Sequence, residues 1–125
     1  MGNKNENVCY AAPTLIFACS GAADVGAVSD RAARKLTADG AGKMYCLAGI
    51  GGRVPGIIKT TQEAEKILAI DGCPLDCTKL SLEEAGITEF DHLKVTDLGL
   101  KKGASPATDE NIATVVHAAL AKLKV

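Results

Sequence analysis

With 125 residues, 47% of them apolar, the chain is long enough for one domain with its own hydrophobic core and too apolar for a disordered protein. Its 14 Lys and Arg are balanced by 15 Asp and Glu, a net charge of −1 that argues against a protein that coats nucleic acid or an anionic membrane. Aromatic residues amount to only 3%, with no Trp, so a base-stacking surface is not expected either.

The apolar pattern along the chain predicts strands that alternate with helices. Residues 1–12 are expected to form a flexible N-terminal segment, which leaves 13–125 as a single α/β domain. Short apolar runs bounded by Gly or Pro predict strands at 14–18, 43–47, 67–70 and 93–96. Helical periodicity predicts helices at 23–39, 55–64, 74–85 and 112–123, and residues 48–52 are predicted to form a glycine-rich turn.

This order of elements predicts an α/β fold of three layers. The expected architecture is a short, mainly parallel four-stranded sheet with helices on both faces, which is Rossmann-like. Right-handed crossovers then place the carboxyl ends of all strands at one edge of the sheet. Open α/β sheets bind their ligands at that edge, so it is where a functional site is expected.

Four of the five cysteines fall at this edge of the predicted sheet. Cys19, Cys46 and Cys73 each end a predicted strand, and Cys77 follows Cys73 by four residues, one helical turn away. Four converging thiolates suit tetrahedral zinc, and the same donors suit Cu(I) or an iron–sulfur cluster. We therefore predict a metal site made by these four residues. The alternative is that each cysteine is a small buried side chain.

The same cysteines are also compatible with chemistry other than metal binding. Cys73 and Cys77 lie at or near a predicted helix start, which favours the thiolate, the reactive form. A thiol–disulfide or sulfur-transfer enzyme with Cys73 or Cys19 as nucleophile is thus a second hypothesis. A binding module for a small ligand or a protein, with structural cysteines, is a third. No complete catalytic constellation is found, so catalytic residues stay unassigned.

The remaining candidate residues are expected to lie away from the site. His92 precedes the fourth predicted strand, at the opposite edge of the sheet, and His117 lies off the apolar face of the last helix, so an all-cysteine site is favoured. Cys9 belongs to the N-terminal segment and is not expected to be a ligand. An anionic ligand is one hypothesis for Arg53, but a solvated side chain is the simpler expectation.

The location of the protein is predicted from two features. No apolar run approaches the ~20 residues that a membrane span needs. The run 10–20 is interrupted by Pro13 and has a weakly charged flank, so a cleaved signal peptide is not expected. The expected location is the cytoplasm, where several cysteines in one domain are typical of metal binding or catalysis. A metal ion is the expected partner, and no protein partner is indicated.

Three segments of the chain resemble one known family. They are residues 19–26 (CSGAADVG), 44–52 (MYCLAGIGG) and 70–77 (IDGCPLDC), in this order. Together they are similar to the DGC-domain family, named after its central Asp-Gly-Cys, and the resemblance extends over about residues 13–122. Members are described as zinc-binding proteins with four chelating cysteines. The resemblance implies that role for Cys19, Cys46, Cys73 and Cys77, and it implies no particular activity.

Overall fold

The strands of the protein form one parallel sheet. The computed structural model describes residues 13–124, so the predicted flexible segment 1–12, with Cys9, lies outside the described residues. The four strands are β1 (Thr14–Ala18), β2 (Lys43–Met44), β3 (Lys66–Asp71) and β4 (Asp91–Lys94). They are ordered β2-β1-β3-β4, and every neighbouring pair is parallel. The predicted parallel α/β fold is confirmed.

Helices cover both faces of this sheet. They are α1 (Asp24–Ala38), α2 (Leu47–Gly51), α3 (Pro55–Gln62), α4 (Cys77–Glu84) and α5 (Asp109–Leu123), with a short 3₁₀ helix at Val95–Leu98. The apolar faces of α1 and α5 share one core with the sheet, and those of α2, α3 and α4 share the other. None of the helices between residues 13 and 124 combines the length and apolarity that crossing a bilayer requires.

The two central strands supply side chains to both cores. In β1, Leu15 and Phe17 pack toward α2–α4, whereas Ile16 and Ala18 pack toward α1 and α5. This alternation follows from the two-residue period of a strand. Since helices cover both faces of the sheet, the sequence of β1 is a continuous apolar run rather than an alternation of apolar and polar residues.

Several element boundaries differ from the sequence prediction, and three of these differences matter for the site. Strand β2 ends at Met44 because the chain turns at Cys46 into α2, where a glycine-rich turn was expected. Helix α4 begins at Cys77, so Pro74 is not its first residue. Strand β4 begins at Asp91, two residues before the predicted start.

The strand order creates a switch point between β1 and β3. The first crossover leads from β1 to β2 on one side, and the next one leads to β3 on the other side. The helices leaving β1 and β3 therefore diverge, which opens a crevice at the carboxyl ends of these two strands. The Ser29 hydroxyl joins the strand ends here, donating to Cys19 O at 3.0 Å and lying 3.2 Å from Ile70 O.

Candidate metal centre

Three of the four candidate ligands share one cavity at the switch point. Cys19 follows β1, Cys73 lies two residues after β3, and Cys77 is the first residue of α4. Their side chains line a cavity of about 430 Å³. Cys19 and Cys73 are half-buried and Cys77 is exposed. Thiols from two neighbouring strand ends and one helix start thus face the same space.

Cys46 lies beside this cavity rather than in it. It is exposed and lines a second cavity of about 1070 Å³. The two cavities share Ser20 and Leu47, and Leu47 is the residue after Cys46. The structure therefore brings Cys19, Cys73 and Cys77 together and leaves Cys46 as a neighbour.

The cysteine sulfurs stand apart in this structure. Within residues 13–124, the one group of three ligand-type side chains whose donor atoms all lie within 4.8 Å of one another is Asp71, Asp76 and His92. Sulfurs around a single zinc ion at about 2.3 Å lie roughly 3.8 Å apart. Binding one ion through the cysteines thus requires their side chains to rotate toward a common point.

The thiol of Cys19 is held by hydrogen bonds at the centre of the site. The backbone N–H of Gly72 donates to its Sγ (N···S 3.1 Å), and the Ser29 Oγ lies 3.6 Å from it. Burial raises the pKa of Cys19, and Asp71 and Cys77 raise it further, although the two hydrogen bonds act in the opposite direction. Cys19 therefore favours the protonated thiol, and a metal ion that binds it must displace a proton.

The Asp of the Asp-Gly-Cys segment caps the helix that carries Cys77. Asp71 ends β3 with 1% exposure, and its carboxylate accepts hydrogen bonds from Thr78 N at 2.7 Å and Lys79 N at 3.0 Å. Asp76, which directly precedes α4, makes no cap bond and has a left-handed backbone with φ 56°. Asp71 thereby satisfies the orphan N–H groups of α4 and ties Cys77 to the end of β3.

The Gly of this segment permits a close contact between two backbones. A Cβ at Gly72 would lie 2.7 Å from the backbone carbonyl of Val25 and 2.9 Å from Gly26 N. No side chain fits there, so only glycine lets the loop after β3 lie against the start of α1. This contact holds the loop that carries Cys73 against the start of α1, the helix that follows Cys19 along the chain.

His92 contacts the Asp of the Asp-Gly-Cys segment rather than lying at the opposite edge of the sheet, so that prediction is wrong. Its Nε2 is 2.9 Å from Asp71 Oδ2 and 3.8 Å from Asp76 Oδ1. The reason is the early start of β4, which pairs His92 with Ala69 and so moves it toward the carboxyl edge. His117 is exposed on α5.

Asp71, Asp76 and His92 form a second possible metal site with oxygen and nitrogen donors. Oδ1 of Asp76 is buried and has no hydrogen-bond partner among the described residues. However, the Lys94 ammonium already lies 3.4 Å from that atom, and Asp71 is engaged in capping α4. The ion pair and the hydrogen bonds account for the cluster without a metal ion.

A lysine from a distant loop completes the rim of the cysteine cavity. The Nζ of Lys102 is 3.9 Å from Cys73 Sγ. Its loop is tethered by Asp24, whose carboxylate accepts hydrogen bonds from Gly103 N at 2.9 Å and Ser105 N at 3.0 Å. These bonds lower the pKa of Asp24. Sequence reasoning missed Lys102, because nothing in the local pattern connects it with Cys73.

Arg53 is not merely solvated, as was predicted. Its guanidinium donates to the carbonyl oxygens of Ile50 and Glu84, both at 3.0 Å. Since these carbonyls end α2 and α4, Arg53 stabilises two helix C-termini at once. Arg53 is therefore a structural residue rather than a site for an anionic ligand.

Comparison with known proteins agrees with the three sequence segments. The family model of the DGC domain matches residues 15–119. A Pseudomonas aeruginosa protein named "Anaerobic and virulence modulator AnvM" is 38% identical over 88 residues, which cover 70% of this chain and 67% of that protein. No solved structure matches the chain.

Proposed function

The chain belongs to the DGC-domain family, and we propose that it is a small protein that binds a soft metal ion, zinc in the first instance, through cysteine thiolates. The observation that carries this proposal is the common cavity of Cys19, Cys73 and Cys77 at the switch point of the sheet. Cys46, in the adjoining cavity, is the proposed fourth ligand.

The chemistry of the donor set supports a soft metal. Thiolates prefer zinc, Cu(I) and iron–sulfur clusters to hard cations such as Mg²⁺. The Gly72 N–H and the Lys102 ammonium both approach cysteine sulfurs, and such donors stabilise negative charge on sulfur. Zinc is the first choice because four thiolates suit its tetrahedral geometry and no redox step is required. The setting we propose is the reducing cytoplasm, where thiols persist.

The packing of the sheet supports a role in handling or sensing the metal. Both faces of the sheet carry a continuous apolar core, so the fold does not depend on a metal ion as zinc fingers do. A metal at the ligand-binding edge is then cargo or signal rather than scaffold. The relative's name, an anaerobic and virulence modulator, is compatible with a sensor.

The test is the zinc content of protein purified anaerobically, with free thiols titrated on the same sample. We expect about one zinc per chain and four thiols that become reactive only after a chelator is added. Cys73→Ser should lose most of the zinc, whereas Cys9→Ser, the control for loss of a thiol, should keep it. Unchanged zinc in the Cys73 variant, or equal losses in both variants, would contradict the proposal.

A thiol–disulfide reaction is the second candidate, favoured by the position of Lys102. The Lys102 ammonium lies 3.9 Å from Cys73 Sγ, so a cation stands beside the sulfur that would attack in disulfide exchange. In this alternative, Cys73 attacks an external disulfide and Cys77 resolves the mixed disulfide, so that the substrate leaves as two thiols. Metal-free protein that forms a reversible Cys73–Cys77 disulfide, together with a failure to retain zinc, would favour this candidate.

A further inference from the structure

Cys46 differs from the other three candidate ligands in how it is held. Cys19 is restrained by Gly72 and Ser29, and the backbone of Cys77 is restrained by the Asp71 cap. Within residues 13–124, no hydrogen bond to the sulfur of Cys46 or of Cys77 is observed, so Cys46 is set apart from Cys77 by the cavity that it lines. Cys46 follows a strand of two residues and precedes a helix of five.

The surroundings of Cys46 also differ. Its cavity, about 1070 Å³, has the size of pockets that hold small organic molecules. The thiol cavity is smaller, at about 430 Å³. Since Ser20 and Leu47 line both cavities, Cys46 stands between an open space for a ligand and the three grouped thiols.

We propose that Cys46 is the exchange ligand through which a metal ion reaches and leaves Cys19, Cys73 and Cys77, and that the acceptor is a low-molecular-weight thiol bound in the larger cavity. This inference rests on the proposed function. It assigns the three grouped cysteines to retention of the ion and Cys46, in the adjoining cavity, to its transfer.

The exchange is a ligand substitution without a redox change. A sulfur–metal bond forms from the acceptor thiolate while the bond from Cys46 Sγ breaks, and the proton lost by the acceptor thiol passes to the Cys46 thiolate. The ion keeps its oxidation state. Further acceptor thiols then replace the remaining protein sulfurs in the same way. Cys46 exchanges first because it lies outside the cavity that the other three cysteines share and lines the larger cavity, where the acceptor binds.

The test measures zinc transfer from loaded protein to a chromophoric chelator, with and without glutathione as the acceptor thiol. For the wild type, we expect glutathione to accelerate transfer. Cys46→Ser should bind zinc more weakly than the wild type but lose less of it than Cys73→Ser does. At equal zinc loading, glutathione should accelerate its transfer about tenfold less than in the wild type, because the rate of thiol exchange depends on access to the ligand that leaves. Cys73→Ser should lose the zinc itself.

A second variant leaves all four cysteines intact. Ala48 is exposed and lines the larger cavity, so Ala48→Phe should slow the glutathione-dependent transfer without lowering zinc content. Ala121→Phe, at an exposed position of α5, is the matched control and should transfer as the wild type does.

The outcomes distinguish a failure of the inference from a failure of the proposed function. A Cys46→Ser variant that loses as much zinc as Cys73→Ser would make Cys46 a retaining ligand and overturn the inference, while the metal site stands. Wild-type transfer rates in both Cys46→Ser and Ala48→Phe would also overturn it. Wild-type protein that holds no zinc would instead overturn the proposed function.

Discussion

Two regions that look alike in the sequence are built differently in the structure. The Asp-Gly-Cys loop (residues 71–77) and the Cys46 turn (residues 45–51) both follow a strand and both carry cysteine. The loop is fastened by the Asp71 cap and by the contact of Gly72 with α1. In the turn, Ile50 is buried and Tyr45 N donates to Ile16 O at 2.9 Å, but no hydrogen bond to the sulfur of Cys46 is observed within residues 13–124. A cysteine at a strand end is therefore not one kind of site, because the restraints on it come from elsewhere in the fold.

The largest effect is expected when a methyl group is added at Gly72 of the loop, with the same change in the turn as the control. Gly72→Ala places a Cβ 2.7 Å from the backbone carbonyl of Val25 and should lower the free energy of unfolding by about 3 kcal/mol. Gly51→Ala is the matched change, because a Cβ there meets nothing within 4 Å and the residue is helical. It should be neutral or stabilise by up to about 1 kcal/mol. Urea unfolding of both variants checks this. Equal losses in the free energy of unfolding would show that the two regions do not differ in how tightly they are packed.

A smaller effect is expected from weakening the cap of α4. Asp71→Asn leaves one oxygen for the two N–H groups of Thr78 and Lys79, so stability should fall by about 1–2 kcal/mol. Hydrogen exchange should become faster at these two amides and stay unchanged at Ile50, in the Cys46 turn. Faster exchange at all three positions would show that the variant loosens the whole fold rather than the loop.

The smallest effect concerns the Asp24 tether of the Lys102 loop, and it depends on pH. Hydrogen bonds from Gly103 N and Ser105 N lower the pKa of Asp24 below its value in the unfolded chain, about 3.9. A group with a lowered pKa stabilises the fold above the unfolded value, and this contribution is lost as the pH falls through the folded pKa. Wild type should therefore be more stable than Asp24→Asn near neutral pH, and the difference should shrink below about pH 4.

Urea unfolding from pH 7 to pH 3 measures that difference, because the other carboxyl groups titrate in both proteins and cancel. A difference that stays constant down to pH 3 would mean that the hydrogen bonds to Asp24 do not favour its ionised form.

Much of the fold is predictable because the local pattern determines it. The apolar runs of β1 and β3 and the periodic faces of α1 and α5 come from neighbouring residues, and the structure has all four elements. The position of His92 was not predictable, because the start of β4 depends on its pairing with β3. The true cap of α4 was also hidden, since Asp71 lies outside the helix and Asp76, which directly precedes it, makes no cap bond.

The candidate site divides in the same way. The sequence by itself determined that a cysteine closely follows each of three strands and that parallel strands share a carboxyl edge. Only the tertiary structure decided which of these ends are neighbours at the switch point. The order β2-β1-β3-β4 sets the ends of β1 and β3 side by side where their crossovers diverge. Cys46 follows β2, which lies on the side of β1 away from β3. That order depends on the packing of helices on both faces of the sheet. Such packing joins residues that are far apart in the chain, so no short stretch of sequence reveals it.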